Sequence, residues 1–286
     1  MAGGYSVHRD IVFGRAARVA GQGEVNLLLD LYVPNAPVRA VPIIVYIHGG
    51  GWSGLDKGWC PYPMRLLEKD YAVASINYRL SQEAPFPAQL HDCKAAVRWL
   101  RAHAGDYKLD GEHIGAWGDS AGGHLAAMLG VTGNRPELEG DSGTPGISSR
   151  VQAVCDWFGP SDLAFLLQRG PAHEAHVDLD SLIAQLIGDS PADHPEKLAA
   201  ASPTTYAAAD AAPFLVMHGD LDDIPLSQSV LLYEALLRVD ARVRLHVVHG
   251  GAHLSFMRRP TDIPWHTAEI DEIVDAFFYE HLMCVG

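Results

Sequence analysis

The chain has 286 residues, of which 48% are hydrophobic and 20% are charged, and its formal net charge is −14. This length and apolar content suit one large α/β domain with a substantial buried core. The negative charge, which no basic cluster compensates, argues against nucleic acid and anionic membrane surfaces as partners. No run of residues reaches the roughly 18 apolar positions that a membrane span needs.

The N-terminal residues and the cysteines bear on localisation. Residues 1–14 lack the apolar core of a signal peptide, because Arg9 and Asp10 interrupt them, so a cytoplasmic protein is expected. The cysteines are scattered and form no C-x-x-C pair, which predicts isolated reduced thiols rather than a disulfide framework or a zinc site, with one long-range disulfide left open. They are Cys60, Cys93, Cys155 and Cys284.

Strand-like and helix-like segments alternate from about residue 25 to the C-terminal end of the chain. Several of the strands are continuous apolar runs, which are typical of strands buried on both faces of a sheet. This alternation predicts an α/β fold with a mostly parallel central sheet and helices on both faces. The predicted strands are 26–33, 42–47, 72–77, 113–117, 151–158, 214–217 and 242–248. The predicted helices are 87–104, the stretch after Ser120, 226–239 and 267–282.

One stretch, from Gly159 to Ala212, interrupts this alternation. It contains no clear strand, and its short helical pieces at 179–187 and 195–201 are separated by turns with proline and glycine. We interpret 159–212 as a lid-like insertion that walls the site, and an ordinary long connection is the alternative. No linker or internal repeat divides the chain, so residues 1–286 are predicted to form a single domain.

The segment Gly118-Asp119-Ser120-Ala121-Gly122 joins a predicted strand to a predicted helix. A serine at the apex of such a tight turn projects its hydroxyl outward, and the flanking glycines keep the strand and the helix from colliding. This context is what the G-x-S-x-G nucleophile elbow requires. Ser120 is therefore the predicted nucleophile, and it needs a neighbouring base to remove its proton.

Two loops downstream of Ser120 contain residues suited to be that base and its orienting carboxylate. Each loop follows a predicted parallel strand, and the carboxyl ends of parallel strands meet at the same edge of a sheet. The chain order serine, acid, histidine is the order found in α/β-hydrolases. The first loop contains His218, Asp220, Asp222 and Asp223, and the second contains His249 and His253.

A glycine-rich segment, His48-Gly49-Gly50-Gly51-Trp52, follows the buried strand at 42–47. Consecutive glycines let the backbone approach a ligand closely and turn N–H groups toward it. Such donors stabilise the oxyanion of a tetrahedral intermediate. The N–H of Ala121, at the start of the helix after the elbow, is a further donor.

These segments, with Gly251-Ala252-His253, together resemble carboxylesterases of the α/β-hydrolase fold, in the branch of hormone-sensitive-lipase-like esterases with acetyl-xylan and feruloyl esterase-like bacterial members. The similarity runs from about residue 25 to the final helix. The resemblance implies a central sheet with helices on both faces and a small lid. It also implies that Ser120 is the nucleophile, that His253 is the base, and that an aspartate of the 218–223 loop is the acid. The implied oxyanion donors are Gly50, Gly51 and Ala121.

Two aspartates compete for the role of triad acid. The family loop usually has a spacer before its Val-Pro, and the segment Asp222-Asp223-Ile224-Pro225 is one residue shorter. Asp222, four residues after His218, fits the usual spacing and is the favoured acid, with Asp223 as the alternative. Asp220 is interpreted as a loop residue that hydrogen-bonds local backbone.

Four residues are predicted to contact the substrate, because ester sites use an apolar pocket beside the serine. The alternatives are ordinary core packing for the aromatic residues and stabilisation of the elbow for the aspartate. The four residues are Trp52, Asp119, Trp157 and Phe158. His48 and His124 are interpreted as structural. No metal site is predicted, because His246 and His249 lie three positions apart on a strand and face opposite sides.

These features together predict a serine carboxylesterase, without a cofactor, that hydrolyses small neutral esters. Short- to medium-chain acyl esters, acetylated sugars and feruloyl esters are the candidate substrates. An amidase such as an aryl formamidase would use the same triad and is the alternative. An inactive hydrolase fold used for binding is the rival from another class. The sequence leaves acyl preference and homo-oligomer formation open.

Overall fold

The computed structural model describes residues 4–19, 23–35, 37–168, 178–253, 265 and 267–283. In this part of the chain a single sheet of eight strands has the order β1-β2-β4-β3-β5-β6-β7-β8. The strands are β1 (Tyr5–Ala17), β2 (Glu24–Pro34), β3 (Val41–Ile47), β4 (Ala72–Ile76), β5 (Leu109–Asp119), β6 (Ala153–Trp157), β7 (Phe214–Gly219) and β8 (Val243–Val248). The strands from β4 to β8 pair in parallel, whereas β1 and β2 are antiparallel.

Helices cover both faces of this sheet. The α-helices are α1 (Ala88–Ala102), α2 (Ala121–Val131), α3 (Leu163–Leu167), α4 (Leu179–Ile187), α5 (Pro195–Ala200), α6 (Ser227–Leu237) and α7 (Ala268–Phe278). Short 3-10 helices cover Pro63–Lys69, Ala104–Tyr107, Pro136–Leu138 and Pro203–Tyr206, and a π-helical turn, Tyr279–Met283, follows α7. None of the helices in these ranges has both the length and the apolarity needed to cross a bilayer.

The central strand β3 shows why its continuous apolar run is required. Every residue of β3 is buried. Because successive side chains of a strand point to opposite faces, Ile43 and Val45 enter the core under α1 and α2, while Ile44 and Tyr46 enter the core under α7. The two cores together bury the sheet on both sides, as the apolar pattern predicts.

Strand β1 lies outside the predicted alternation, which begins near residue 25. Tyr5–Ala17 pairs antiparallel with β2 through a register that shifts twice. Most of its side chains are exposed or half-exposed, so its sequence has no apolar run and only a weak period of two. Pairing with β2, rather than burial, defines this edge strand.

The stretch between β6 and β7 contains helices and no strand in its described residues, 159–168 and 178–212. The predicted helix at 179–187 is confirmed, and the predicted piece at 195–201 is confirmed as Pro195–Ala200. Helix α4 is tied to the body of the protein because Phe86 N–H donates to Leu186 O at 2.7 Å. Residues 169–177 of the predicted insertion lie outside the described residues.

The cysteine prediction concerns four thiols, of which three are described. Cys60, Cys93 and Cys155 are free. Cys284 lies outside the described residues. These three cysteines form no disulfide with one another, and the reduced state of the thiols stays a prediction.

The close approach of α2 to the end of β3 generates the first prediction. A Cβ on Gly122 would overlap the carbonyl oxygen of Ile47, which is backbone and cannot rotate away. We expect Gly122→Ala to lower the free energy of unfolding by about 3 kcal/mol or more, as overpacking does. Urea denaturation measures the change.

Gly105→Ala is the matched control, because a Cβ on Gly105 meets nothing within 4 Å. Its free energy of unfolding should stay within about 0.5 kcal/mol of the unsubstituted protein. Equal stability of the two variants would contradict the role assigned to this contact.

Candidate active site

Ser120 sits in the sharp turn between β5 and α2. Its backbone has φ 53° and ψ −120°, a conformation that non-glycine residues rarely adopt. The neighbouring backbone holds the turn, since Ser120 N–H donates to Trp157 O at 2.9 Å and His124 N–H donates to Ser120 O at 2.9 Å. The geometry is that of the predicted nucleophile elbow, and the strain is accommodated by these bonds and by the glycines on either side.

A continuous chain of contacts leads from this serine to a buried carboxylate. Ser120 Oγ lies 3.0 Å from His253 Nε2, and His253 Nδ1 lies 2.8 Å from Asp222 Oδ1. The Asp222 side chain is fully buried and that of His253 is 9% exposed. Of the two candidate aspartates, Asp222 is the one that contacts the imidazole in the described structure.

The acid is oriented by its own loop. Ile224 N–H donates to Asp222 Oδ1 at 2.7 Å. The Ile224 carbonyl lies 2.8 Å from His218 Nε2, and Ser229 Oγ lies 2.7 Å from His218 Nδ1. A carbonyl can only accept, so Nε2 of His218 is the protonated nitrogen and Ser229 donates to Nδ1. Burial lowers the pKa of His218, which keeps the ring neutral in this arrangement.

A second set of bonds joins the acid loop to the base loop. Asp220 Oδ1 accepts from Gly250 N–H at 2.7 Å, and Asp220 Oδ2 lies 3.0 Å from His249 Nδ1. Leu221 N–H donates to Gly251 O at 2.9 Å. Asp220 is predicted from the sequence to hydrogen-bond backbone of its own loop. It does accept from a backbone N–H, but that of Gly250 in the neighbouring loop.

The glycine-rich loop that follows β3 has backbone conformations that favour glycine. Gly50 and Gly51 have φ values of 98° and 59°, which glycine adopts without strain, and Trp52 after them has φ 56°. Gly50 O accepts from the N–H groups of Ser53 and Gly54. Within the described residues, no acceptor is bonded to the N–H groups of Gly50, Gly51 or Ala121. These are the donors predicted for an oxyanion.

Asp119 connects the elbow to the glycine-rich loop. Its carboxyl is buried and accepts from the Tyr46 hydroxyl at 2.5 Å and from Gly49 N–H. Burial raises the pKa of Asp119 to about 6, although both hydrogen bonds oppose the rise. The sequence did not identify Tyr46 as part of this site, because it lies inside an apolar strand where no neighbouring residue marks it as a hydrogen-bond donor.

Two histidines near the serine have structural partners. His48 Nδ1 lies 2.8 Å from Gly49 O, and its ring stacks on Tyr78. His124 accepts from Trp52 Nε1 at 3.1 Å and lies 2.7 Å from Ala201 O through Nε2. Burial lowers the pKa of each ring to about 4, so both are neutral at pH 7. The structural interpretation of both residues is confirmed.

The four residues predicted to contact substrate are all buried. Trp52, Asp119, Trp157 and Phe158 are each at most 2% exposed. The Phe158 ring meets the His253 ring edge to face with centroids 5.0 Å apart. Substrate contact by these four residues stays a prediction. Within the described residues, no three or more His, Cys, Asp or Glu side chains are grouped so that they could hold a metal ion.

Comparison with known families identifies the class of protein. Residues 29–236 match the model of the BD-FAE family, which is most of the chain. The chain therefore belongs to the BD-FAE family.

Individual relatives are named esterases. Esterase LipQ of Mycobacterium tuberculosis is 32% identical over 242 residues, which are 82% of this chain and 56% of that protein. A truncated carbohydrate esterase from gut microbiota superposes with a TM-score of 0.79 at 30% identity, covering 97% of this chain and 96% of that one. The propionate-bound esterase Est2 of Thermogutta terrifontis gives a TM-score of 0.74 at 26% identity, covering 99% and 97%.

The chain spans little more than half the length of the mycobacterial esterases that it matches. The matches confirm the predicted resemblance and the α/β-hydrolase fold. The relatives themselves are named as esterases or carboxylic ester hydrolases.

The Tyr46–Asp119 bond generates a pH-dependent prediction. The folded pKa of Asp119 is raised from 3.8 to about 6, so ionisation of this group costs stability as the pH rises through that window. Tyr46→Phe removes a donor to the ionised form. The variant should therefore lose about 1–3 kcal/mol of unfolding free energy at pH 8 and less at pH 4.5. Urea denaturation at both pH values measures the difference.

Tyr206→Phe provides the control, since the Tyr206 hydroxyl donates to the neutral carbonyl of Ala200 at 2.9 Å. Its loss of stability should be the same at pH 4.5 and pH 8. A pH-independent loss in Tyr46→Phe as well would contradict the assigned role of the Asp119 charge.

Proposed function

We propose that this protein is a serine carboxylesterase that hydrolyses small neutral esters. The observation that carries the proposal is the hydrogen-bonded series Ser120–His253–Asp222, with distances of 3.0 and 2.8 Å, beside backbone N–H groups that no described acceptor occupies. A nucleophile, an oriented base and oxyanion donors are the parts that acyl transfer requires. Each step below uses groups of the chain itself.

In the acylation step, His253 Nε2 takes the proton of Ser120 as Oγ attacks the ester carbonyl carbon. The carbonyl oxygen becomes an oxyanion that accepts from the N–H groups of Gly50, Gly51 and Ala121. His253 then protonates the leaving alcohol, and the C–O bond breaks. Asp222 holds the imidazole in the tautomer with the proton on Nδ1 and stabilises the cation that forms.

In the deacylation step, a water molecule takes the place of the alcohol. His253 removes a proton from this water, which attacks the acyl carbon, and the oxyanion forms again at the same donors. The imidazolium returns the proton to Ser120 Oγ as the acid leaves. The enzyme is then in its starting state.

Small esters are favoured by the insertion between β6 and β7, for which we propose the role of a lid. Helix α4 lies over the glycine-rich loop, because a Cβ on Gly51 would come within 2.6 Å of Leu182 Cδ1. An acyl group whose carbonyl oxygen is bound by the N–H groups of the glycine-rich loop would contact Leu182. The relatives support the same class, since one is a carbohydrate esterase and another binds propionate.

The series Ser120–His253–Asp222 generates a prediction about the loss of activity at its two ends. Ser120→Ala should lower the rate of p-nitrophenyl acetate hydrolysis by at least about 10³-fold, because it removes the covalent step. Asp222→Asn should lower kcat by about 10⁴-fold, since the amide favours the wrong tautomer of His253.

Asp223→Asn is the matched control and should stay within about 3-fold of the unsubstituted enzyme, because its carboxyl is assigned no part in proton transfer. A loss at Asp223 rather than Asp222 would overturn the acid assignment. Unchanged turnover in Ser120→Ala would overturn the proposed function. An assay with aryl formamides measures whether the site hydrolyses amides as well.

Leu182 generates a prediction about acyl length. Leu182→Ala should raise the ratio of kcat/KM for p-nitrophenyl octanoate to that for the acetate by at least about 10-fold, because the removed carbons leave room for the longer chain. Leu237→Ala makes the same change on α6, where the side chain is 46% exposed, and should leave the ratio unchanged. An unchanged ratio in Leu182→Ala would contradict the lid role of α4.

A further inference from the structure

Asp156 is a buried carboxyl group for which the proposed reaction has no role. It is the penultimate residue of β6 and is 1% exposed. Its Oδ1 accepts from Gly159 N–H at 3.0 Å, and its Oδ2 has no hydrogen-bond partner among the described residues. Burying a carboxyl group with one unpaired oxygen is costly, so a compensating purpose is expected.

The space around Asp156 is closed. A Cβ on Gly159 would lie 2.6 Å from Asp156 Oδ1, and a Cβ on Gly123 would overlap the same oxygen. The carboxyl is thus wedged between the first turn of α2 and the turn that follows β6. The two glycines make room for it, and its contact with Gly159 is set by this packing.

The bond from Asp156 to Gly159 spans Phe158, which has an unusual backbone. Phe158 has φ 46°, in the left-handed region that is strained for a bulky side chain. Such strain persists only where surrounding bonds hold it. Two bonds do so here: the Asp156 side chain accepts from Gly159 N–H, and Phe158 N–H donates to Met217 O at 2.8 Å.

The same turn touches both reacting groups. Trp157 O accepts from the N–H of Ser120 at 2.9 Å. The Phe158 ring lies against the imidazole of His253, with centroids 5.0 Å apart and an interplanar angle of 69°. The segment from Asp156 to Gly159 therefore contacts the nucleophile through its backbone and the base through a side chain.

We propose that Asp156 is a positioning residue, whose bond to Gly159 N–H holds Phe158 in the left-handed conformation that places its ring against His253. The proposal rests on the proposed esterase function for its kinetic consequence but not for its structural one. Burial raises the pKa of Asp156 to about 7. A neutral amide at this position is therefore a close substitute for the carboxyl, and the amide oxygen can still accept from Gly159.

The kinetic test compares three kinds of variant. One removes the bond between Asp156 and Gly159 N–H, one keeps it, and one replaces Phe158 so that its conformation no longer depends on that bond. Asp156→Ala should lower kcat about 10- to 100-fold with KM within about 3-fold, as misalignment of reacting groups does. Asp156→Asn should restore kcat to within about 3-fold. Phe158→Gly lacks the ring and adopts a positive φ without help, so adding Asp156→Ala to Phe158→Gly should cost less than about 3-fold.

Asp162→Ala is the matched control, because Asp162 Oδ1 also accepts from a backbone N–H three residues on, that of Phe165 at 2.9 Å. Asp162 is the residue before α3, and its hydrogen bonds join it to Phe165, Leu166 and Gln228 rather than to Ser120 or His253, so its loss should leave kcat within about 3-fold. The proposal would be overturned if Asp156→Ala left kcat unchanged. It would also be overturned if the fold-loss of kcat in the double variant equalled the product of the losses in Asp156→Ala and Phe158→Gly.

A second readout is independent of turnover. The ring current of Phe158 should displace the proton NMR signals of the His253 ring, which are identified by their absence in His253→Ala. Asp156→Ala should move these signals toward the position found in Phe158→Gly, and Asp156→Asn should not. Signals that stay in place in Asp156→Ala would overturn the proposal. If the unsubstituted protein hydrolyses no ester but the His253 signals shift as expected in the variants, the proposed function would be overturned and the positioning role of Asp156 would stand.

Discussion

The close approach of α2 to the carboxyl end of β3 is the constraint on which the site depends. At Gly122 the helix comes so near the backbone of Ile47 that a side chain cannot fit. This approach brings the elbow serine beside the glycine-rich loop that continues from β3. Ser120 and the glycine-rich loop are therefore neighbours because a helix and a strand pack without a side chain between them.

Buried polar groups then set the details of this neighbourhood. Asp119 joins the elbow to the oxyanion loop through Tyr46 and Gly49, His218 orients the acid loop, and Asp220 ties the acid loop to the base loop. The bonds of Asp119 and His218 are buried, whereas the bond of Asp220 to Gly250 is exposed and links two loops, and each of them restricts the conformations open to the site. A site held in this way needs little rearrangement when charge develops on the substrate.

Much of this site could be predicted from local patterns, and the reasons are physical. The elbow requires its glycines near Ser120, and parallel strands end at one edge, so the elbow motif and the loops that carry Asp222 and His253 could be identified from the chain. Asp156 had a signal too, since a carboxylate inside an apolar strand is unusual. Tyr46 had none, because a tyrosine among isoleucines and valines differs from core packing only through the partner it meets.

Sequence patterns alone were enough to predict the parallel sheet and the family, and to propose Ser120 as nucleophile and His253 as base, since these depend on residues close together in the chain or on a repeated period. Three features required the folded chain. Asp222, which the spacing favoured but did not separate from Asp223, lies against the imidazole and accepts from Ile224 N–H. Leu182 covers Gly51, and β1 pairs with β2, because segments far apart in sequence meet. Contacts of that kind have no period and no local composition, so only the tertiary structure reveals them.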